Sequence, residues 1–220
     1  MTTKPQTPAR TIRIVCISDT HELHRELDIP SGDILIHAGD FTFFSKRPSM
    51  VADFDSWLGE LPHPTKVVVP GNHEFLIEAG TVPPLRNATL LINRGVKCHG
   101  LKIWGSPVTV LSGGAFGRSD PEDRRRIYAE IPLDTDILVT HGPPYGILDR
   151  GGSDAKPHGC QVLLEAVQRI NPRLHVFGHA HGGYGSVIIG RTQFANASVM
   201  TEDFGPDNPP LVFPLTVSVG

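Results

Sequence analysis

Five short apolar runs punctuate the chain, at residues 12–17, 34–36, 67–69, 137–139 and 174–177, each dominated by isoleucine, valine or leucine. Their apolar positions are continuous rather than alternating, which is the pattern of strands covered on both faces. Segments of helical period lie between them. Val51, Phe54, Trp57, Leu58 and Leu61 fall on one helical face, with Ser49 the expected N-cap after Pro48. Ser119-Asp120-Pro121-Glu122 has the capping-box pattern ahead of a helix over 123–130. The apolar positions of 160–170 predict a third helix, stopped by Asn171-Pro172. Residues 184–189, 193–195 and 211–219 read as strands with no helix between them, and the Gly- and Pro-rich stretches at 112–117 and 142–159 as long loops. The pattern predicts one α/β domain over residues 1–220, with 1–11 a flexible lead-in and the tail mostly β.

Composition narrows the function more than the fold. With 39% hydrophobic and 20% charged residues the chain has material for a core, while 23 glycines and 20 prolines argue against a helical bundle. A net charge of −3 gives no basic footprint, so neither a nucleic-acid backbone nor an anionic membrane is an expected partner. No apolar stretch approaches the roughly 18 residues of a spanning helix, and the polar first ten residues hold no secretory core. Cys16, Cys98 and Cys160 are too scattered for a disulfide framework and fit reduced thiols, so a cytoplasmic location is expected. Eleven histidines change the picture, because of where they fall.

Each apolar run ends in residues that bind metals. Ser18-Asp19-Thr20-His21 follows the first and His37-Ala38-Gly39-Asp40 the second. Pro70-Gly71-Asn72-His73-Glu74 follows the third, Thr140-His141-Gly142 the fourth and Gly178-His179-Ala180-His181 the fifth. Ligands of open α/β sheets sit beyond the carboxyl ends of the strands, so if these strands share a sheet the five groups converge. Asp19/His21 and His179/His181 are i, i+2 pairs, which in extended chain project to one side. Gly39, Gly71 and Gly178 permit tight turns. Carboxylate, amide and imidazole without thiolate suit divalent manganese, iron or zinc. Asp19, His21, Asp40, Asn72, His141, His179 and His181 exceed the needs of one ion, and a carboxylate such as Asp40 can bridge two ions about 3.5–4 Å apart, the arrangement that activates water against phosphate esters.

In this order, Asp19-x-His21, Gly39-Asp40, Gly71-Asn72-His73-Glu74, His141 and Gly178-His179-x-His181 resemble the five motifs of the calcineurin-like metallophosphoesterases. Residues 33–41, 172–185, Gly105-Ser106-Pro107, Asn196-Ala197-Ser198 and Asn208-Pro209-Pro210 are similar more specifically to the metallophosphoesterase-domain-containing branch. The resemblance implies a four-layer α/β/β/α sandwich. It implies that Asp19, His21 and His181 hold one divalent ion, that Asn72, His141 and His179 hold a second, and that Asp40 bridges them, with manganese ahead of iron or zinc. His73 then faces the scissile phosphate and assists the leaving group while hydroxide activated by the metals attacks. Asp40, Asn72 and His73 form the catalytic set, with Asn72, His73 and His158 touching substrate. Glu74 stands where the family usually has Asp, and the branch also carries Glu there.

The activity so implied is a phosphodiesterase acting on cyclic nucleotides (2′,3′ or 3′,5′) and aryl phosphodiesters. The alternatives are a phosphomonoesterase of small molecules or proteins, or a metal- or nucleotide-binding scaffold. Phe41, Phe43, Phe44, Phe116, Tyr145 and Tyr184 are the rings available for a base, each also a candidate for plain packing. Arg118 and the run Arg124-Arg125-Arg126 could meet phosphate, although the run, on a predicted helix, reads as a solvated face. His37 and His175 read as packed, hydrogen-bonded strand histidines, and His24, His63 and His99 as surface or loop residues.

Overall fold

The computed structural model describes residues 9–44, 47–151 and 157–218. Two sheets pack face to face. The first contains β1 (Ala9–Ile17), β2 (Ile34–His37), β3 (Thr65–Val68), β4 (Thr89–Leu90) and β11 (Leu211–Ser218), in the order β11-β1-β2-β3-β4. The second contains β5 (Arg94–Cys98), β6 (Leu101–Ser106), β7 (Ile137–Thr140), β8 (Leu174–Phe177), β9 (Gly185–Ile189) and β10 (Thr192–Asn196), in the order β5-β6-β7-β8-β10-β9. Strands β1 to β4 run parallel, as do β6, β7, β8 and β10, and antiparallel strands close three of the four edges.

The continuous apolar runs have the expected cause. In β1, Ile12, Ile14 and Cys16 face the other sheet, while Val15 and Ile17 face outward under α1 (Pro48–Glu60). That helix covers its sheet with Val51, Phe54, Trp57 and Leu58. On the opposite side, α3 (Pro121–Ala129) and α4 (Gln161–Ile170) press Tyr128, Leu163, Val167 and Ile170 onto Leu138 and Phe177. Three apolar layers between helix, sheet, sheet and helix make the α/β/β/α sandwich. A short α2 (Phe75–Glu78) follows β3. No helix among the described residues is long and apolar enough to cross a membrane.

Several local expectations shift. Strand β1 begins at Ala9 because β11 pairs with it from Ser218, so residues 9–11 are strand, and 1–8 lie outside the described residues. Ser49 does not cap α1. Pro48 takes the first helical position, where its missing N–H costs nothing, and Arg47 becomes the cap residue without a side-chain bond. Pro121 does the same for α3, so Asp120 rather than Ser119 caps, its Oδ1 accepting from Glu122 N at 2.9 Å. Strands β4, β5 and β6 had no counterpart in the periodicity. The β5–β6 hairpin turns on His99 and Gly100, with φ of 49° and 80°, a two-residue primed turn without the usual Asn-Gly or Asp-Gly signature. Part of the long loop expected at 142–159 lies outside the described residues. His24 and His63 are buried, not superficial: His24 meets Asp53 at 3.0 Å, and His63 meets the Pro30 carbonyl at 2.9 Å.

Two further histidines are counterparts in the two sheets. His37 accepts at Nδ1 from Gly39 N at 3.2 Å and donates from Nε2 to Thr20 Oγ1 at 3.0 Å. The Thr140 hydroxyl gives its proton to the Gly142 carbonyl at 2.8 Å, so His175 Nε2 donates to it at 2.9 Å. Burial pushes both imidazoles down to about 3. The unfolded chain therefore binds protons that the folded chain refuses as pH falls from 6.5 toward about 3. Stability is full above that window and declines within it. Replacing His175→Gln, which keeps an N–H for Thr140, should flatten the decline in urea unfolding measured between about pH 6.5 and 4. An unchanged slope would remove His175 from the account.

Candidate metal centre

The turns that follow β1, β2, β3, β7 and β8 lie at one edge of the sandwich. They carry Asp19 and His21, Asp40, Asn72 and His73, His141, and His179 and His181, respectively. The five strands do not share a sheet, since three belong to the first and two to the second. Convergence comes instead from a seam between the sheets. Ser18 bridges Ser198, Val199 N donates to the Ser18 carbonyl at 3.0 Å, and His179 N donates to both Asp19 oxygens at 3.1 and 3.0 Å.

Nor is the chain extended here. Asp19, His21, Asp40 and His179 have φ of 56°, 41°, 55° and 66°, the left-handed region that bulky L-residues avoid. The turns, not strand alternation, aim these side chains, and each such residue stores on the order of 1 kcal/mol or more of strain. Of the three glycines, Gly39 alone has positive φ, at 107°. Gly71 and Gly178 serve by leaving space: a Cβ on Gly71 would lie 2.2 Å from Asp40 Oδ1, and one on Gly178 would lie 2.1 Å from Asp19 Oδ2.

All seven expected ligands come together. Potential ligand atoms of Asp19, His21 and His181 lie within 4.8 Å of one another, as do those of Asp40, His141 and His179. Asn72 joins the second group, its Oδ1 2.8 Å from His141 Nε2. A third grouping of His21, Asp40 and His73 puts His73 at the centre as well, with its Nε2 3.8 Å from Asp40 Oδ2.

The donor set fits cations. His141 gives its Nδ1 proton to the Ala38 carbonyl at 2.9 Å, which turns the Nε2 lone pair toward Asn72 Oδ1 and, at 3.1 Å, toward Asp40 Oδ2. Three lone pairs so close repel unless a positive charge lies among them. His21 is oriented by the Thr42 carbonyl 3.3 Å from Nδ1, and its Nε2 is buried without a hydrogen-bond partner among the described residues. Such a nitrogen is costly in a protein interior and natural as a ligand.

Titration follows the same logic. Burial alone would raise Asp40 and Asp19, yet both lie below the usual carboxylate range. At Asp40 His141 together with His73 outweighs burial, and at Asp19 His181, with its Nε2 3.6 Å from Oδ1, together with His141 and His21 does so. Burial opposes a charged His141, but Asp40 and then Asp19 hold it up to about 9. Burial, helped by His141, pushes His179 down to about 4. Burial also lowers His73, against the pull of Asp40.

Glu74 is an orienting group. Its carboxylate accepts from Gly71 N at 2.6 Å, Asp40 N at 2.9 Å, Thr42 N at 3.0 Å and the Thr42 hydroxyl at 2.8 Å. It thereby fixes the turns after β2 and β3 together. Burial and the nearby Asp40 push it up to about 7, while those donors pull the other way.

A cavity of about 490 Å³ opens over the centre, and its rim carries Leu111, Gly151, His158, Glu202 and Phe204. His158, expected from the sequence to touch substrate, lines this cavity. The ring candidates divide. Phe41 stacks on Phe54 at 4.2 Å in the core and Phe116 is buried, whereas Phe43 and Phe44 flank the His73 ring at 5.6 and 4.3 Å. Tyr145 is exposed outside the cavity lining, and the Tyr184 hydroxyl donates to the Pro209 carbonyl at 2.8 Å. Glu202 and Phe204 were not anticipated. The arginine run is not uniformly solvated: Arg124 is buried against the Arg118 and Ser119 carbonyls, and Arg125 and Arg126 pair with Glu122 and Asp123. Arg118 faces Glu78 at 3.6 Å.

Residues 12–183 match the family model described as calcineurin-like phosphoesterase. The chain is 39% identical over 239 aligned positions to human metallophosphoesterase domain-containing protein 1, covering 96% of this chain and 73% of that one. It is 37% identical over 219 positions to a UPF0046 protein of Caenorhabditis elegans, covering 92% of this chain and 74% of the relative. Among solved structures, TT1561 of Thermus thermophilus superposes with a TM-score of 0.59 at 14% identity, over 85% of this chain and 89% of that one. At that identity the likeness shows the fold.

Replacing Glu74→Gln leaves one oxygen for four donors and turns an amide N–H toward them. Unfolding free energy in urea should fall by about 1–3 kcal/mol, and calorimetric affinity for added divalent cations should weaken with it. Retention of both would remove Glu74 from its orienting role.

Proposed function

The chain belongs to the calcineurin-like phosphoesterase family and is a metal-dependent phosphoesterase, and we propose that it hydrolyses phosphodiesters, cyclic nucleotides and aryl diesters among them. The observation that carries the diester reading is the chemistry of the cavity wall. Its described lining combines imidazoles, one amide, apolar groups and, besides the Asp40 carboxylate at the centre, the carboxylate of Glu202 on the rim. A monoester dianion presents two charges and a diester one, so a wall that adds a carboxylate suits the diester better.

Asp19, His21 and His181 are the residues to hold one divalent ion, and Asn72, His141 and His179 a second, with Asp40 between them. Manganese, iron and zinc all accept this oxygen and imidazole set. Such ions, when bound, polarise phosphoryl oxygens and make water nucleophilic near neutral pH.

The protein's own groups do the rest. Asn72 lies among the ligands and lines the cavity, placed to orient a phosphoryl oxygen through its amide. His73 accepts at Nδ1 from Phe44 N at 3.2 Å, so its proton sits on Nε2, the atom nearest Asp40. With its pKa lowered by burial, His73 works as a neutral hydrogen-bond donor through Nε2–H to the departing oxygen. A donor aimed at developing charge contributes about 10²–10³-fold. His158, at the rim, reaches the more distant part of the substrate.

Aryl phosphodiester turnover with added Mn²⁺ should exceed turnover of the matching monoester. A faster monoester reaction, or none of either with manganese, iron or zinc, would overturn the reading. Replacing His73→Ala should lower kcat by about 10²–10³-fold while metal content by elemental analysis stays full. Replacing Asp40→Asn should remove metal and activity together, and full occupancy in that variant would mean that Asp40 does not bridge.

A further inference from the structure

Phe204 is anomalous in two ways at once. It is 53% exposed, and its φ is 59°. A bulky residue in the left-handed region is a genuine outlier, and an exposed phenyl forgoes the burial that could offset it. The turn that holds it is firmly closed: Thr201 N donates to the Gly205 carbonyl at 2.8 Å, Phe204 N to the Thr201 carbonyl at 3.0 Å, and Gly205 N to Thr201 Oγ1 at 3.2 Å. Glycine would occupy the position without backbone strain.

What the conformation achieves is placement. The Phe204 ring lies 5.1 Å from the His181 ring and 5.8 Å from the His21 ring, at 78° and 56°. Phe43 backs it at 6.3 Å and 85°, edge to face. The ring therefore stands as a wall of the cavity, beside two expected metal ligands, with more than half its surface open. A substituent one or two bonds from a phosphate bound at the centre comes within reach of it.

We infer that Phe204 is a specificity-determining residue, a stacking face for the planar aromatic group esterified to the phosphate, whether an aryl ring or a nucleobase. The inference rests on the phosphoester reading above and adds the residue that selects among esters. Both kinds of group share a π-face, and stacking on an aromatic side chain is tolerant of which one is offered.

Non-hydrolysable phosphonates separate this claim from the catalytic one. Phenylphosphonate and methylphosphonate, titrated calorimetrically into the metal-loaded protein, differ only in the aromatic group. Phenylphosphonate should bind about 10-fold tighter, within the range of single stacking contacts. Phe204→Gly and Phe204→Leu should bring that ratio to near one, Phe204→Trp should retain it, and methylphosphonate affinity should not move. Because the native backbone is strained, Phe204→Gly should also keep or raise Tm, a result that a purely structural role for the ring does not give. A ratio of one in the unaltered protein, or full preference kept by Phe204→Gly or Phe204→Leu, overturns the inference alone. Failure of methylphosphonate, inorganic phosphate and the singly charged dimethylphosphinate alike to bind at all overturns the phosphoester reading beneath it.

Discussion

Two carboxylates with no exposure to speak of, Asp19 and Asp40, stand at the seam between two sheets, and the surrounding structure answers their burial. An unpaired anion in such a place costs more than a domain's margin of stability. Each is met by donors from the opposite side of the seam or from a neighbouring strand: His179 N for Asp19, His73 N at 2.9 Å for Asp40, and imidazoles around both. The backbone must come close enough to deliver those donors, which is why Gly71 and Gly178 have no side chain. It must also turn sharply enough, which is why Asp19, His21, Asp40 and His179 sit in the left-handed region. Glu74 belongs to the same arrangement, holding the Asp40 turn by its main chain.

The compensation within the chain itself is incomplete in an informative way. His141 Nε2 faces two acceptors, and His21 Nε2 meets no hydrogen-bond partner among the described residues. A proton on His141 balances the first in the metal-free chain, in line with its raised pKa. Cations balance both. Folding therefore arranges an electrostatic deficit before any ion arrives, and the rigidity of two sheets packed through one apolar layer keeps ligands from collapsing onto one another.

Much of this was legible in the sequence because the chemistry is punctuated by strands. Apolar runs of β-branched residues, each followed at once by Asp, Asn or His, marked both the elements and the candidate site, and the seven residues read as ligands gather there from the strand ends. The sheet assignment failed because period and composition cannot tell which strands pair, only that each is covered twice. The β5–β6 hairpin was hidden by a histidine doing what Asn or Asp does in a primed turn. The bonds of Glu74 were not legible because its four donors come from residues 40, 42 and 71, a junction visible only once β2 and β3 are side by side. Phe204 left no signal at all: a phenylalanine in a polar, glycine-bearing turn reads as incidental until its φ and its neighbours are known.

The centre and its rim obey different constraints, and that separation bears on how the site selects. Ligands follow strand ends directly and are tied to one another by buried hydrogen bonds, so altering one disturbs several. Phe204 on the rim, after β10, and Phe43 behind it, after Asp40, come from turns one step further out, and their side chains meet the centre by ring contact. A contact of that kind can be exchanged without unbalancing the buried charges. On the reading proposed above, the cation-holding geometry can stay fixed while the wall that the ester's organic group meets is redrawn, with substrate preference in the turns and reactivity in the seam.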